Sequence, residues 1–250
     1  FAAAPVGNLR FAAPVKPVPW QDVRDAINPG PTPPFPTTKE NDIDGKPNFG
    51  DGWIKGDNFL TTNVWTPDVK ASNLPVMVYI YGGAFVLGTS DVPLFDGTNF
   101  AKKGVVMVSF NYRLGIEGFL KIAGVPTNIG IRDQIAALKW VQNNITAFGG
   151  DPGNVTVFGE SAGAISVGVL VTSPAAKGLF KRAIMQSGSG QAVLSSEQAD
   201  RVAKQYAKTL KIKNTMKSVD ETLHGVITHT WRLSSLAPYR TGSRPRQRRT

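Results

Sequence analysis

The residues of this sequence best suited to chemistry form the pentapeptide Gly159-Glu160-Ser161-Ala162-Gly163. A serine with a glycine two residues to either side fits a turn so tight that its backbone is strained and its hydroxyl stands clear of its neighbours. Such a hydroxyl can attack a carbonyl carbon once a base removes its proton. A second pattern, Tyr81-Gly82-Gly83-Ala84-Phe85, lies upstream. Acyl transfer develops negative charge on the substrate carbonyl oxygen, and fixed backbone N–H groups aimed at that oxygen each contribute on the order of 3 kcal/mol. Gly82 and Gly83, together with the N–H of Ala162, are the expected oxyanion hole, because residues without side chains let an ester approach their backbone. Taken singly, either pattern also fits a glycine-rich turn without chemistry. Their placement on secondary structure separates the readings.

Each pattern follows an apolar run of strand length, from Val76 to Tyr81 and from Val155 to Phe158, and the serine is followed by a small-residue helical run from Ala162 to Val171. Strand, turn and helix in that order make a nucleophile elbow. Phe59 to Trp65, Val105 to Phe110 and Ala183 to Met185 are further runs bounded by Gly, Pro, Asn or Asp. Their continuous apolar character predicts strands buried on both faces. Ile131, Ile135, Leu138, Val141 and Ile145 repeat at helical spacing up to Gly149-Gly150, which predicts a helix and its stop. Ala199, Val202, Ala203, Tyr206 and Leu210 predict another, opened by a capping box of Ser195 and Gln198. Strands alternating with helices imply an α/β fold with a mainly parallel sheet covered on both sides. The Pro- and Gly-rich stretch from Pro14 to Asp57 reads as a long surface excursion. No internal repeat is evident. One domain is expected over residues 1–230, followed by a tail, 231–250, that changes idiom.

That tail carries much of the charge. The 250-residue chain has a formal net charge of +10, and six of its arginines (Arg232, Arg240, Arg244, Arg246, Arg248, Arg249) fall in the tail without a single acid. The body is therefore only mildly basic. The tail reads as disordered or non-native; the competing reading, a basic arm for nucleic acid, lacks the interleaved aromatic residues such arms use, so no nucleic-acid partner is expected. There is no cysteine and only His224 and His229 as histidines, which excludes a disulfide framework and cysteine-based metal sites and leaves no basis for an all-histidine metal site. No window has the length and apolarity of a membrane span. Localisation, cytoplasmic or secreted, stays open, as does oligomeric state. Asn144-Ile145-Thr146 and Asn154-Val155-Thr156 match glycosylation sequons, the second on a predicted buried strand, and both read as coincidental.

Several motifs together resemble the type-B carboxylesterases, the group that includes the cholinesterases: Pro5-Val6-Gly7-Asn8-Leu9-Arg10-Phe11, Asn63-Val64-Trp65-Thr66-Pro67, Asn111-Tyr112-Arg113-Leu114-Gly115, Phe148-Gly149-Gly150-Asp151-Pro152 through Gly163, and Gln186-Ser187-Gly188-Ser189. The resemblance runs from residue 1 to about 190. It implies the α/β-hydrolase fold, hydrolysis of a small-molecule carboxylic ester through a serine acyl-enzyme, and no cofactor. It places the nucleophile at Ser161 and the oxyanion hole at Gly82, Gly83 and Ala162. It also makes Arg113 and Asp133 a structural ion pair, and Glu160 a local hydrogen-bonding group rather than a base. The sequence departs from the family at Tyr81, where a histidine is usual, and around Asp57-Asn58-Phe59-Leu60, where the usual cysteine is absent.

A serine hydroxyl needs a histidine, and the histidine an acid. In this fold they follow the serine in the order acid, then histidine, and in the family they belong to a C-terminal half, so both are expected beyond residue 250. Within the chain the remaining candidates are Glu197, Asp200, Asp220 and Glu221 for the acid and His224 or His229 for the base; none sits in the family's surrounding motif. Three functional expectations follow: an ester hydrolase, an inactive truncated fragment of one, and a non-catalytic recognition protein on the same fold.

Overall fold

The computed structural model describes residues 1–35 and 52–229, with side chains up to residue 223. The predicted tail, 231–250, lies outside the described residues. Five strands form one sheet: β1 (Thr62–Trp65), β2 (Leu74–Ile80), β3 (Val106–Phe110), β4 (Gly150–Glu160) and β5 (Arg182–Gln186), in the spatial order β1-β3-β2-β4-β5. β1 runs antiparallel to β3, and the other three pairings are parallel. The expected mainly parallel α/β sheet is therefore present.

The helices are α1 (Thr98–Ala101), α2 (Gly115–Phe119), α3 (Ile129–Asn144), α4 (Ala162–Thr172), α5 (Ser196–Leu210) and α6 (Met216–His229). α4 packs on β2, β4 and β5, while α3 packs on α2, α4 and β4. β3 is buried at every position, as its unbroken apolar run demands, and Val76, Val78, Val155 and Val157 are fully buried beside it. The capping box opens α5 as predicted: the Ser195 hydroxyl accepts from the Gln198 N–H at 3.2 Å, and the Ser195 N–H donates to the Gln198 carboxamide at 2.7 Å.

Five expectations need adjusting. β5, predicted to be buried on both faces, is exposed at every position, because among the described residues it lies at the sheet edge and pairs with β4 alone. β1 starts at Thr62 rather than Phe59, because Phe59 and Leu60 turn into a small separate cluster with Ala2. β4 begins five residues earlier than its apolar run, at Gly150, with a register shift against β2 between Leu74 and Val76 that the alternation could not reveal. The Pro14–Asp57 excursion is largely exposed where described, yet Thr32 and Phe35 are buried at its turn, and Phe35 joins the main core. α6 was not foreseen; it packs Val219 and Leu223 against Phe11, Ile122 and Ile129 in a second, smaller core.

Candidate active site

Strand β4 passes into helix α4 through one residue. Ser161 stands at φ 53°, ψ −121°, a left-handed conformation costing a non-glycine residue on the order of 1–3 kcal/mol. The surroundings hold it there. A Cβ at Gly159 would lie 2.6 Å from the Gly163 carbonyl carbon and 2.8 Å from the Ile80 oxygen, and a Cβ at Gly163 would overlap the Ile80 carbonyl oxygen. The two glycines predicted to flank the turn are thus required by backbone meeting backbone. The Ser161 N–H donates to the Gln186 carbonyl at 2.9 Å, and its own carbonyl accepts from the Ile165 N–H at 3.0 Å. Its side chain makes no capping hydrogen bond to α4 and is only half-buried, so the hydroxyl is left for other chemistry.

The second predicted pattern lies against this turn. A Cβ on Gly82 would stand 2.8 Å from the Glu160 carbonyl oxygen and 3.1 Å from the Ser161 Cβ, so only a glycine lets the loop after β2 approach the serine this closely. Gly83 follows at φ 103°, where a Cβ would strike the Leu87 carbonyl oxygen. Ala84 and Phe85 then take φ values of 52° and 62°, two successive left-handed residues that are not glycine. Ala162 is buried at the first position of α4, where its N–H has no acceptor within the helix and sits at the positive end of the helix dipole. Among the described residues, the N–H groups of Gly82, Gly83 and Ala162 donate to no backbone carbonyl outside the regular elements. Gly82 and Ala162 therefore border Ser161, with Gly83 next along the same loop.

Tyr81, the departure from the family pattern, is buried and stacks on Tyr112 with ring centroids 4.6 Å apart. The Tyr112 hydroxyl donates to the Tyr81 carbonyl at 2.8 Å. Burial pushes both phenols well above their ordinary range, so both stay protonated. Beneath them Arg113 and Asp133, both fully buried, form a two-pronged ion pair: Nε to Oδ2 at 2.8 Å and the second guanidinium nitrogen to Oδ1 at 2.6 Å. Arg113 Nη1 also donates to the carbonyls of Leu9, Arg10 and Ala12. They form the ion pair that the resemblance implied.

The structure does not bring the in-chain acid candidates to the serine as free groups. Asp200 accepts from Lys121 at 2.8 Å, Asp220 accepts from Arg10 at 3.0 Å, and Glu221 lies 4.0 Å from Lys217 one turn away. Glu197 is exposed in the first turn of α5. The side chains of His224 and His229 lie outside those described. Among the described residues there is no cluster of three potential metal ligands and no helix long and apolar enough to cross a membrane. Sequence reasoning missed the Gln186 carbonyl as the anchor of the serine N–H. It also missed the contacts of Tyr112; the motif Asn111 to Gly115 was the available signal for those.

The sequence profile of the carboxylesterase family matches residues 1–228. The para-nitrobenzyl esterase of Bacillus subtilis (strain 168) is 45% identical over 217 residues, covering 85% of this chain and 43% of that protein. The fumonisin B1 esterase of Sphingopyxis macrogoltabida is 45% identical over 199 residues (75% of this chain, 35% of that protein), and the acetylcholinesterase of Gallus gallus is 43% identical over 199 residues (76% and 25%). Among solved structures, the Geobacillus stearothermophilus carboxylesterase Est55 superposes with a TM-score of 0.82 at 39% identity, covering 95% of this chain and 48% of that one. The chain spans less than half the length of the relatives it matches.

Proposed function

Because this chain belongs to the carboxylesterase family, we propose that it carries the nucleophile and the oxyanion hole of a carboxylic ester hydrolase acting on small-molecule esters. The observation that carries the reading is the joint between β4 and α4: a serine in a left-handed turn, uncommitted to helix capping, with Gly82 pressed against its Cβ. The names of the three curated relatives, all esterases, support the same reaction class.

In this proposal the Ser161 Oγ forms a bond to the ester carbonyl carbon as its proton passes to a histidine, and the carbonyl π electrons move onto oxygen. The N–H groups of Gly82, Gly83 and Ala162 stabilise that oxyanion. Collapse breaks the bond to the alkoxy oxygen, which leaves as the alcohol with the proton from the histidine, and an acyl-serine remains. Water, losing a proton to the same histidine, attacks the acyl carbon and releases the carboxylic acid. The histidine and its acid are taken from outside the described side chains, a reading supported by the engagement of Asp200, Asp220 and Glu221 with lysine or arginine. A half-site without turnover is the competing reading for the 250 residues taken alone.

The test compares the esterase carrying this chain with its Ser161→Ala variant, using a fluorophosphonate probe and a chromogenic short-chain ester. The serine protein is expected to label and turn over, and the alanine variant to lose on the order of 10⁴-fold or more in kcat without labelling. Turnover retained by the alanine variant overturns the assignment. Labelling and serine-dependent turnover by residues 1–250 alone would overturn the half-site reading only.

A further inference from the structure

We propose that Gln134 is a positioning residue for the nucleophile helix: through Ser166 it sets where the N-terminus of α4, and with it the Ala162 N–H, stands relative to the loop after β2. The inference rests on the assignment of Ala162 to the oxyanion hole.

That assignment asks two separate segments to meet at one oxygen. At the first position of α4 the Ala162 N–H has no acceptor within the helix and points out of its N-terminal end, so moving α4 moves this donor. The loop after β2 is held independently, by the Tyr112 hydroxyl on the Tyr81 carbonyl at 2.8 Å and by the Gly115 N–H on the Phe85 carbonyl at 2.6 Å. Neither bond reaches α4.

The second turn of α3 links the two. Asp133 faces the Tyr112–Gly115 segment: its carboxylate accepts from the Arg113 N–H at 3.0 Å and from the Arg113 guanidinium at 2.8 and 2.6 Å. The next residue, Gln134, faces α4, where its Nε2 donates to the Ser166 hydroxyl at 3.0 Å. All four side chains are buried, so water does not compete for these bonds. Ser166 is the only buried polar residue of α4; the other buried positions are glycine, alanine, valine and leucine. Apolar contacts are non-directional, whereas a shift on the order of 1 Å along the axis breaks a hydrogen bond of this length. The Gly163 contact with Ile80 limits how closely α4 approaches β2 but does not hold it there. The Ser161 N–H is tied to Gln186 on the exposed strand β5, and Gln134 makes the tie on the buried side.

A second observation separates this tie from ordinary packing. The Gln134 carboxamide oxygen is buried and accepts no hydrogen bond among the described residues. A buried acceptor left unpaired destabilises a fold, and a leucine of similar size would avoid that loss. The glutamine thus works against stability while fixing placement.

The deciding variant is Gln134→Leu combined with Ser166→Ala in the esterase carrying this chain, which removes both polar partners and leaves neither orphaned. With rates normalised to sites titrated to completion by a fluorophosphonate, kcat is expected to fall roughly fivefold while KM stays within about twofold. That is well short of the loss of about 10²–10³ on deleting an oxyanion donor outright. The inhibition constant of a trifluoromethyl ketone, which mimics the tetrahedral intermediate, is expected to rise by the factor by which kcat/KM falls. A merely structural role would move the melting temperature and the number of titrated sites but not kcat per site, and an unchanged kcat per site overturns the inference. So does a fall in kcat without weaker binding of the ketone. Should the double variant yield no titratable protein, Ser166→Ala alone decides by the same two readings. Ser161→Ala run alongside tells the two failures apart. If it retains turnover, the underlying site assignment falls and the role of Gln134 with it; if it is inactive while the double variant keeps full kcat per site, only the role of Gln134 falls.

Discussion

The two flanks of Ser161 are built differently. On the β2 side the loop from Gly82 to Phe85 is held at one end by the buried Tyr112, at the other by the half-buried Gly115, and by a chain of aromatic contacts through Phe119, next to a solvent-free Arg113–Asp133 pair. On the β5 side the serine N–H also has its anchor, the Gln186 carbonyl, but every residue of that strand is exposed. Among the described residues β5 pairs with β4 alone. The opposite edge of the sheet is not so bare, since Asn63 of β1 donates to Asp91 at 2.7 Å and Trp65 packs where a side chain on Gly97 would go. Transition-state charge must be met by donors fixed in advance, and the flank proposed to carry them is the rigid one. The open flank is where contacts from elsewhere can still be made.

The contrast breaks most severely at the ion pair. Removing Arg113 by Arg113→Ala leaves Asp133 buried without its charged partner and frees three backbone carbonyls. We expect a loss of about 3–5 kcal/mol in denaturant unfolding, and a partial recovery when both residues are replaced by apolar ones of similar volume. Single variants within about 1 kcal/mol of the parent would show that the rigid flank is held by something else. Next in size is Gly163→Ala, whose new methyl runs into the Ile80 carbonyl, a backbone atom that cannot rotate away. The expected loss is about 1–3 kcal/mol, accompanied by slower labelling of Ser161 by a fluorophosphonate; labelling at the parent rate would refute the tightness of the turn.

The parts of this arrangement legible in the sequence were those dictated by sterics along a short stretch of chain. Gly159, Ser161 and Gly163 were readable because a strand turning into a helix within one residue admits few side chains, and the capping box of α5 because both partners lie three residues apart. The hydrogen bond from Tyr112 to Tyr81 was not legible: the two residues are 31 apart, and nothing in a local pattern tells that a phenol from the end of β3 reaches the carbonyl after β2. The burial of Phe35 escaped for a like reason, since a proline-rich stretch reads as surface unless one knows which core has room for one of its aromatic residues. The partners of the in-chain acids were not legible either, because Lys121 lies 79 residues from Asp200 and Arg10 lies 210 from Asp220.

Alkaline pH sharpens the comparison more gently. Burial first, and then the nearby Glu160 charge, push Tyr79 from its ordinary 10.0 up to about 12, and Tyr81 and Tyr112 are raised by burial as well. The native state therefore holds protons that the unfolded chain releases. This contribution to stability is fully present below pH 10 and is lost as the pH rises toward 12 and beyond. Phenolate absorbance from these tyrosines is expected to grow only in step with the loss of the near-ultraviolet circular dichroism signal. Phenolates forming while that signal stays intact would mean the β2 flank admits water.

The smallest effect is expected on the open flank. Ile184 and Met185 of β5 are 45% and 39% exposed, so a lysine at 184 leaves its ammonium in water and gives up only part of an apolar contact. Ile184→Lys should change unfolding stability by less than about 1 kcal/mol. A charge on an exposed strand also discourages edge-to-edge pairing, so residues 1–250 bearing it should self-associate less, as read by light scattering across a concentration series. Val157→Lys, on the neighbouring strand and fully buried, is the control: an unpaired charge there should prevent stable folding. If Ile184→Lys instead costs more than about 2 kcal/mol, well above the usual surface range, β5 is packed as firmly as β4 and the difference between the two flanks of Ser161 disappears.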